Sequence, residues 1–252
     1  MLRSLVFTVV FYINTAVFLI LGSPLLLGPR SWAMWGLASH ARATMWWMRI
    51  ICGTRVEVRG RENLPEGAAL IASKHQSAWD TTGLIPFLRD PAMIMKQELM
   101  YIPLYGWFSY KFGMIPVRRD RRGTALRRMA KDASDRAANG RDIVIFAEGT
   151  RRAPGAPPAY KPGVAMLYDR LGIPCVPVAL NSGVFWPRRS LLRRPGTIVV
   201  EFLEPIPPGL PRRKYQKLLE ERIETASARL LAEAGKAGEE AVAAAIAQQK
   251  VA

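Results

Sequence analysis

Histidine is nearly absent from this chain: there are two in 252 residues, His40 and His75, and only two cysteines, Cys52 and Cys175. Both cysteines sit in apolar stretches with no metal-type spacing. They read as buried thiols in a reducing compartment, and neither a disulfide nor a zinc site is expected. No ligand cluster surrounds either histidine, so no metal is expected at all. Acid is scarce as well, with 20 Asp and Glu against 36 Lys and Arg, a net charge of +16. That excess exceeds what solubility needs and suits an anionic partner: nucleic acid, an acidic lipid surface or a phosphorylated substrate. No internal repeat is present. Half the residues are hydrophobic, which excludes general disorder and leaves ample core for one large α/β domain or two small ones.

Charge is missing altogether between Arg3 and Arg30. The apolar segment Leu5 to Leu27 is long enough to cross a hydrocarbon core of about 30 Å as a helix; it is longer than a typical signal h-region, with Gly22-Ser23 leaving a cleavable signal as the alternative. A second weakly polar segment, Ser31 to Cys52, holds Trp32, Trp35, Trp46 and Trp47, four of the seven tryptophans. Such a concentration reads as an interfacial belt. Gly22-Ser23-Pro24 and Gly28-Pro29 can turn the chain between the two. Either one spanning helix precedes an interfacial one, or the two form a hairpin dipping into one leaflet. Basic residues at Arg3, Arg30, Arg42 and Arg49 favour the cytoplasmic side for both ends, which suits the hairpin better.

From Thr54 the pattern changes to short β-type runs alternating with helical ones. Strands are expected at Arg55–Arg59, Ala69–Ser73, Ala92–Met95, Met114–Val117, Asp142–Ala147, Cys175–Leu180 and Thr197–Leu203. Several are continuously apolar, as in a sheet covered on both faces. Helices are expected at Ser77–Leu88, Glu98–Phe112, Arg121–Asn139 and Gly163–Leu171. This alternation predicts an α/β fold with a mainly parallel or mixed central sheet of about seven strands flanked by helices. The domain reading is residues 1–53 as membrane-associated helices, 54–210 as the α/β domain, and 211–252 as a C-terminal helix with a frayed, Ala-rich end. The loop bearing Trp186, Arg188, Arg189, Arg193 and Arg194 reads as a second membrane contact.

Three strand ends carry chemistry. The strand ending at Ser73 leads into Lys74-His75-Gln76-Ser77-Ala78-Trp79-Asp80. There the imidazole and a carboxylate five positions later form a possible general base and its orienting partner. The plain alternative is a helix start with Ser77 as N-cap and His75 as an ordinary polar residue. The strand ending at Ala147 leads into Glu148-Gly149-Thr150-Arg151-Arg152: an acid, a flexible glycine, a hydroxyl and guanidiniums that can clamp a phosphate. Arg118-Arg119-Asp120-Arg121-Arg122 follows the Met114–Val117 strand and could do the same, or form a solvated run. Ligands in open α/β sheets bind beyond the carboxyl ends of strands.

Taken together these motifs resemble the glycerolipid acyltransferase family, specifically the bacterial 1-acyl-sn-glycerol-3-phosphate acyltransferases. The matching pieces are His75-x4-Asp80, Lys96-x-Glu98-Leu99 with Ile102-Pro103 and Gly106, and Gly113-x-Ile115-x-Val117-x-Arg119. Phe146-x-Glu148-Gly149-Thr150-Arg151 and Ile173-Pro174-x-Val176-Pro177-Val178 complete the set, in order over about residues 54–205. Ala147 stands where the family usually has proline, and Arg118 where an acidic residue is common. Register favours Arg119 over Arg118 as the phosphate ligand.

The resemblance implies transfer of an acyl chain from acyl-CoA or acyl-ACP to the sn-2 hydroxyl of lysophosphatidic acid, giving phosphatidic acid, with no cofactor. His75 would be the base, Asp80 its partner, and Lys96 a cation near the thioester. Arg119, Gly149, Thr150 and Arg151 would hold the glycerol phosphate, and Glu148 would position an arginine or the glycerol. No Gly-x-Ser-x-Gly elbow is present, so direct transfer is expected and not a serine acyl-enzyme. The implied partners are membrane phospholipids, lysophosphatidic acid and the acyl carrier, not nucleic acid. The implied location is the cytoplasmic side of the cell inner membrane. The same chemistry on glycerol-3-phosphate, a lysophospholipid or a lyso-aminolipid is the nearest alternative. A non-catalytic basic module binding nucleic acid or acidic lipid is the remote one.

Overall fold

A computed structural model describes residues 1–118 and 122–251 of the chain. It begins with two helices, α1 (Leu2–Leu21) and α2 (Arg30–Cys52), joined by a 3-10 turn at Ser23–Leu26. They run antiparallel: Cys52 lies against Arg3 at one end, Asn14 donates to Thr44 at 3.3 Å, and Thr15 meets His40 at 3.1 Å. The apolar residues of α1 are mostly on the outside, among them Leu5, Val6, Val9, Ile13, Val17 and Ile20, and on α2 Trp32, Trp35 and Trp46 are exposed. Among the described residues α1 is the single helix long and apolar enough to cross a membrane; its 20 residues span about 30 Å.

Gly53 ends α2 in the left-handed region (φ 72°), with its N–H bonded to the Arg49 carbonyl at 3.1 Å. That conformation is costly for a residue with a Cβ and lets the chain turn directly into the sheet. There follow β1 (Thr54–Arg59), β2 (Leu70–Ser73), α3 (Asp80–Gly83), β3 (Ala92–Lys96), α4 (Tyr105–Lys111) and β4 (Ile115–Val117). The chain continues through α5 (Arg122–Ala138), β5 (Ile143–Phe146), α6 (Pro162–Leu171), β6 (Cys175–Leu180), α7 (Ser182–Phe185) and β7 (Gly196–Phe202), and closes with α8 (Arg212–Glu233) and α9 (Lys236–Val251).

The strands form one seven-stranded sheet in the order β1-β7-β6-β2-β5-β3-β4. All pairs are parallel except β6 with β7. Alternate residues of each buried strand serve opposite faces. Ile71, Val144, Val176 and Val178 pack with Met48, Trp79 and Phe108 from the α1–α4 side. Leu70, Ala72, Ile143 and Ile145 pack with Met129, Leu167 and Tyr215 from α5, α6 and α8. The carboxyl ends of β2, β3, β4, β5 and β6 therefore share one edge. Because β1 and β7 run the other way, the α2–β1 junction reaches that same edge.

All seven expected strands are present, each end within one residue of its expected place. Two expected helices are not continuous. Within Ser77–Leu88 only the turn Asp80–Gly83 is α-helical, followed by a 3-10 turn at Ile85–Phe87, because Pro86 lacks an N–H and the Asp80 carboxylate takes the N–H groups of Gln76 and Ser77. Within Glu98–Phe112 the chain makes a 3-10 turn at Gln97–Tyr101 and restarts as α4. Pro103 and the positive φ of Leu104 (61°) separate the two. The C-terminal stretch expected to be frayed is helical as α9, and its Ala241 is buried against the core.

In the loop read as a second membrane contact, Trp186 packs inward while Arg189 and Leu191 stay exposed. Trp186 is 6 % exposed and makes edge contacts with Phe7 and Phe11 of α1, both at 5.3 Å between ring centres. The Arg193 guanidinium lies over the indole at 4.3 Å from its centre, and burial lowers its pKa to about 10. An indole with so much apolar area gains more from these rings than from solvent. Phe7 is therefore the bolt between hairpin and sheet. Phe7→Ala should destabilise the protein by about 3–5 kcal/mol, read as a lowered Tm in detergent together with faster proteolysis between α1 and α2. An unchanged Tm would mean that α1 is not docked there.

Candidate active site

The exit of β2 is built around one carboxylate. Asp80 is fully buried. Its Oδ2 accepts from the Gln76 N–H at 2.7 Å and the Ser77 N–H at 2.9 Å, and lies 2.9 Å from His75 Nδ1. Its Oδ1 accepts from the Ser182 hydroxyl at 2.5 Å. The backbone N–H groups can only donate, so the carboxylate serves as acceptor throughout, and His75 Nδ1 is then the protonated nitrogen. Nε2 keeps its lone pair. The His75 ring stacks on Phe146 at 3.9 Å between centres, the ring planes nearly parallel at 18°. With Asp80 at one edge and Phe146 on one face, the imidazole has a single orientation, in which Nε2 is the nitrogen left for another molecule.

The exit of β5 lies against it. Arg152 N–H donates to the His75 carbonyl at 2.8 Å, and Ala147 N–H to the Ser73 carbonyl at 3.0 Å, so the two loops are sewn together. Phe146 to Gly149 forms a turn closed by Gly149 N–H on the Phe146 carbonyl at 2.9 Å. Gly149 has φ 65°; the adjacent space would admit a Cβ, so the backbone conformation is what calls for glycine. Thr150 is exposed and Arg151 half-buried. The Arg151 carbonyl accepts from Arg188 Nη1 at 2.7 Å. Its guanidinium stands near Tyr105, whose phenol is pushed up by burial and partly held back by Ser109 and this positive charge.

Glu148 points the other way. It is 0 % exposed, accepts from the Ala159 N–H at 3.1 Å, and pairs with Lys74 at 3.4 Å and Arg152 at 3.9 Å. Burial raises its pKa, opposed chiefly by Lys74. Lys74, itself buried, also pairs with Glu224 of α8 at 2.5 Å, and Glu224 accepts from the Tyr160 hydroxyl at 2.8 Å. This network of five side chains joins α8 to the loops after β2 and β5.

The remaining sequence candidates are spread along the same edge. Lys96 ends β3 and is exposed, in register with Val117 of β4. With β5 between β2 and β3, its strand runs about 10 Å from the one leading to His75. Arg118 leaves β4 beside it, while Arg119 lies outside the described residues. Among the described residues no group of His, Cys, Asp and Glu is arranged to hold a metal. Motif reading missed Ser182, Lys74, Glu224 and Tyr105. Only Lys74 carried a local signal, a charge directly after a fully apolar strand; the others reach the edge through the tertiary fold.

A family model described as acyltransferase matches residues 55–181, half the chain. The chain belongs to the acyltransferase family. Among curated relatives, the 1-acyl-sn-glycerol-3-phosphate acyltransferase of Pseudomonas aeruginosa is 37 % identical over 159 residues, 63 % of this chain and 62 % of that protein. The human enzyme named 1-acyl-sn-glycerol-3-phosphate acyltransferase beta is 32 % identical over 62 % of this chain and 57 % of its own length. The match thus spans about three-fifths of the length of these relatives. The solved structure of the 1-acyl-sn-glycerophosphate acyltransferase of Thermotoga maritima has a TM-score of 0.77, covering 91 % of this chain and 96 % of that one at 23 % identity. The fold expectation, a mixed sheet of seven strands flanked by helices, is met in full.

In this chain the position of Glu148 separates two roles. Glu148→Ala should lower unfolding free energy by roughly 3 kcal/mol, because Lys74 and Arg152 lose a buried counter-charge. Urea unfolding measures this. Unaltered stability with weakened acceptor binding would make Glu148 a substrate ligand.

Proposed function

We propose that this acyltransferase moves an acyl chain from an acyl thioester, acyl-CoA or acyl-ACP, to the sn-2 hydroxyl of lysophosphatidic acid, forming phosphatidic acid. The observation that carries the reading is the His75–Asp80 pair, with Nδ1 engaged at 2.9 Å and Nε2 left for a substrate hydroxyl. It stands on the same edge as the Arg151 loop and the docked α1–α2 hairpin. The names of the curated relatives support the acceptor.

An alcohol is a weak nucleophile and a thioester is already activated, so the main requirement is a base on the acceptor. His75 Nε2 takes the hydroxyl proton as the oxygen attacks the thioester carbon. An O–C bond forms, the C–S bond breaks, and the imidazolium returns the proton to the departing thiolate. Asp80 orients the ring and stabilises its charged form. Arg151, with Gly149 and Thr150, holds the glycerol phosphate; Arg119, the further phosphate ligand that the sequence motif names, lies outside the described residues. Lys96 faces the oxygen of the tetrahedral intermediate. The reaction draws on no cofactor. Helix α1, with its apolar exterior, seats the hairpin in the cell inner membrane, with the catalytic edge at its cytoplasmic surface where both lipids reside.

His75→Ala should reduce turnover of lysophosphatidic acid at least about a hundredfold while leaving membrane association intact. Arg151→Ala should act mainly by raising KM for the acceptor, with a much smaller effect on a phosphate-free acceptor. Steady-state assays across a lyso-lipid panel decide both. Near wild-type turnover by His75→Ala removes the base. Robust turnover of another lyso-lipid beside none of lysophosphatidic acid reassigns the acceptor.

A further inference from the structure

Asp80 spends its Oδ2 on three donors, which leaves Oδ1 as a buried anionic oxygen. Among the described residues its one donor is Ser182. We infer that Ser182 is a positioning residue for the general base, acting through Asp80; this rests on the proposed role of His75.

Ser182 comes from the exit of β6, 102 positions from Asp80, and lies just past the residues matched by the family model. It is 0 % exposed and its backbone is tightly held. Its carbonyl accepts from Trp186 N–H at 2.8 Å, closing the single turn of α7. The next N–H, of Gly183, donates to Gln76 Oε1 at 3.1 Å. The two loops approach so closely that a Cβ on Gly183 would come within 2.8 Å of the Gln76 Cβ and 3.0 Å of Pro154. The hydroxyl therefore reaches Asp80 from a fixed platform, not from a mobile surface loop.

Two consequences follow from that contact. A carboxylate gripped at one oxygen alone can rotate about its terminal torsion, which is soft. Ser182 grips the second oxygen and holds the carboxylate plane so that Oδ2 meets His75 Nδ1. The donated hydrogen bond also draws charge from the carboxylate and tempers its attraction for the imidazolium. Without it, Asp80 would hold the imidazolium more strongly, and the base would be blocked by a proton up to a higher pH.

The experiment compares wild type with Ser182→Ala, Ser182→Thr and His75→Ala, using lysophosphatidic acid and an acyl-CoA. Ser182→Ala should lower kcat about tenfold, with KM for both substrates within about twofold of wild type. The acid limb of its kcat–pH profile should move to higher pH, and Ser182→Thr, which keeps the hydroxyl, should restore most of the rate. Wild-type kcat and acid limb in Ser182→Ala would overturn the assignment. So would a loss of rate that only tracks the folded fraction while the acid limb stays in place. If Ser182→Ala fails to fold, Ser182→Cys, a weak donor, is held to the same shift. An active His75→Ala would instead sink the base reading itself, whereas an inactive His75→Ala beside a wild-type-like Ser182→Ala would sink only this inference.

Discussion

One buried carboxylate organises the edge proposed for catalysis. Asp80 gathers two backbone N–H groups, an imidazole and a hydroxyl, close to the full acceptor capacity of a carboxylate. A buried charge is tolerable only with partners of this number and quality. The same contacts dictate the local chain path. Gln76 and Ser77 cannot enter a helix while their N–H groups point back at Asp80, so the segment after β2 wraps around the carboxylate and presents His75 at the sheet edge. Fold and proposed chemistry thus depend on the same four bonds.

A second polar layer lies against the first. Lys74, Glu148, Glu224 and Tyr160 bind α8 to the loops after β2 and β5, and the Arg152–His75 backbone bond joins those loops to each other. On another side Phe7, Phe11 and Trp186 clamp α1 to the loop after α7. His75 and Asp80 are therefore held by packed neighbours on several sides, while the apolar residues of α1 are mostly exposed. For the proposed substrate, with its phosphate in water and its chain in lipid, that arrangement would need no long transfer between compartments.

The strands were the most legible part of the sequence, since short apolar runs bounded by Gly, Pro and charge leave little else to form. The broken helices were not. Pro86 and Pro103 are visible as breakers, but the competition between the Asp80 carboxylate and a helical N–H pattern is a tertiary matter. His75, Asp80 and the Glu148–Arg151 stretch stood out because strand exits expose their chemistry in adjacent positions. Ser182 follows an apolar strand just as His75 does, yet its partner lies a hundred residues away and nothing local announces the pairing. The packing of Trp186 was not legible for a related reason: its partners, Phe7 and Phe11 of α1, lie far from it in sequence.

The tautomer of His75 bears most directly on the account, and the scarcity of histidine makes it accessible. Long-range proton–nitrogen NMR of 15N-histidine-labelled protein in detergent, assigned with His75→Ala, reads both ring nitrogens at a pH where the ring is neutral. If Asp80 holds the ring as described, Nδ1 carries the proton and Nε2 shows the shift of an unprotonated nitrogen. A His75 ring protonated at Nε2, or one that averages between tautomers, would contradict the central claim that Asp80 fixes a base aimed at the substrate.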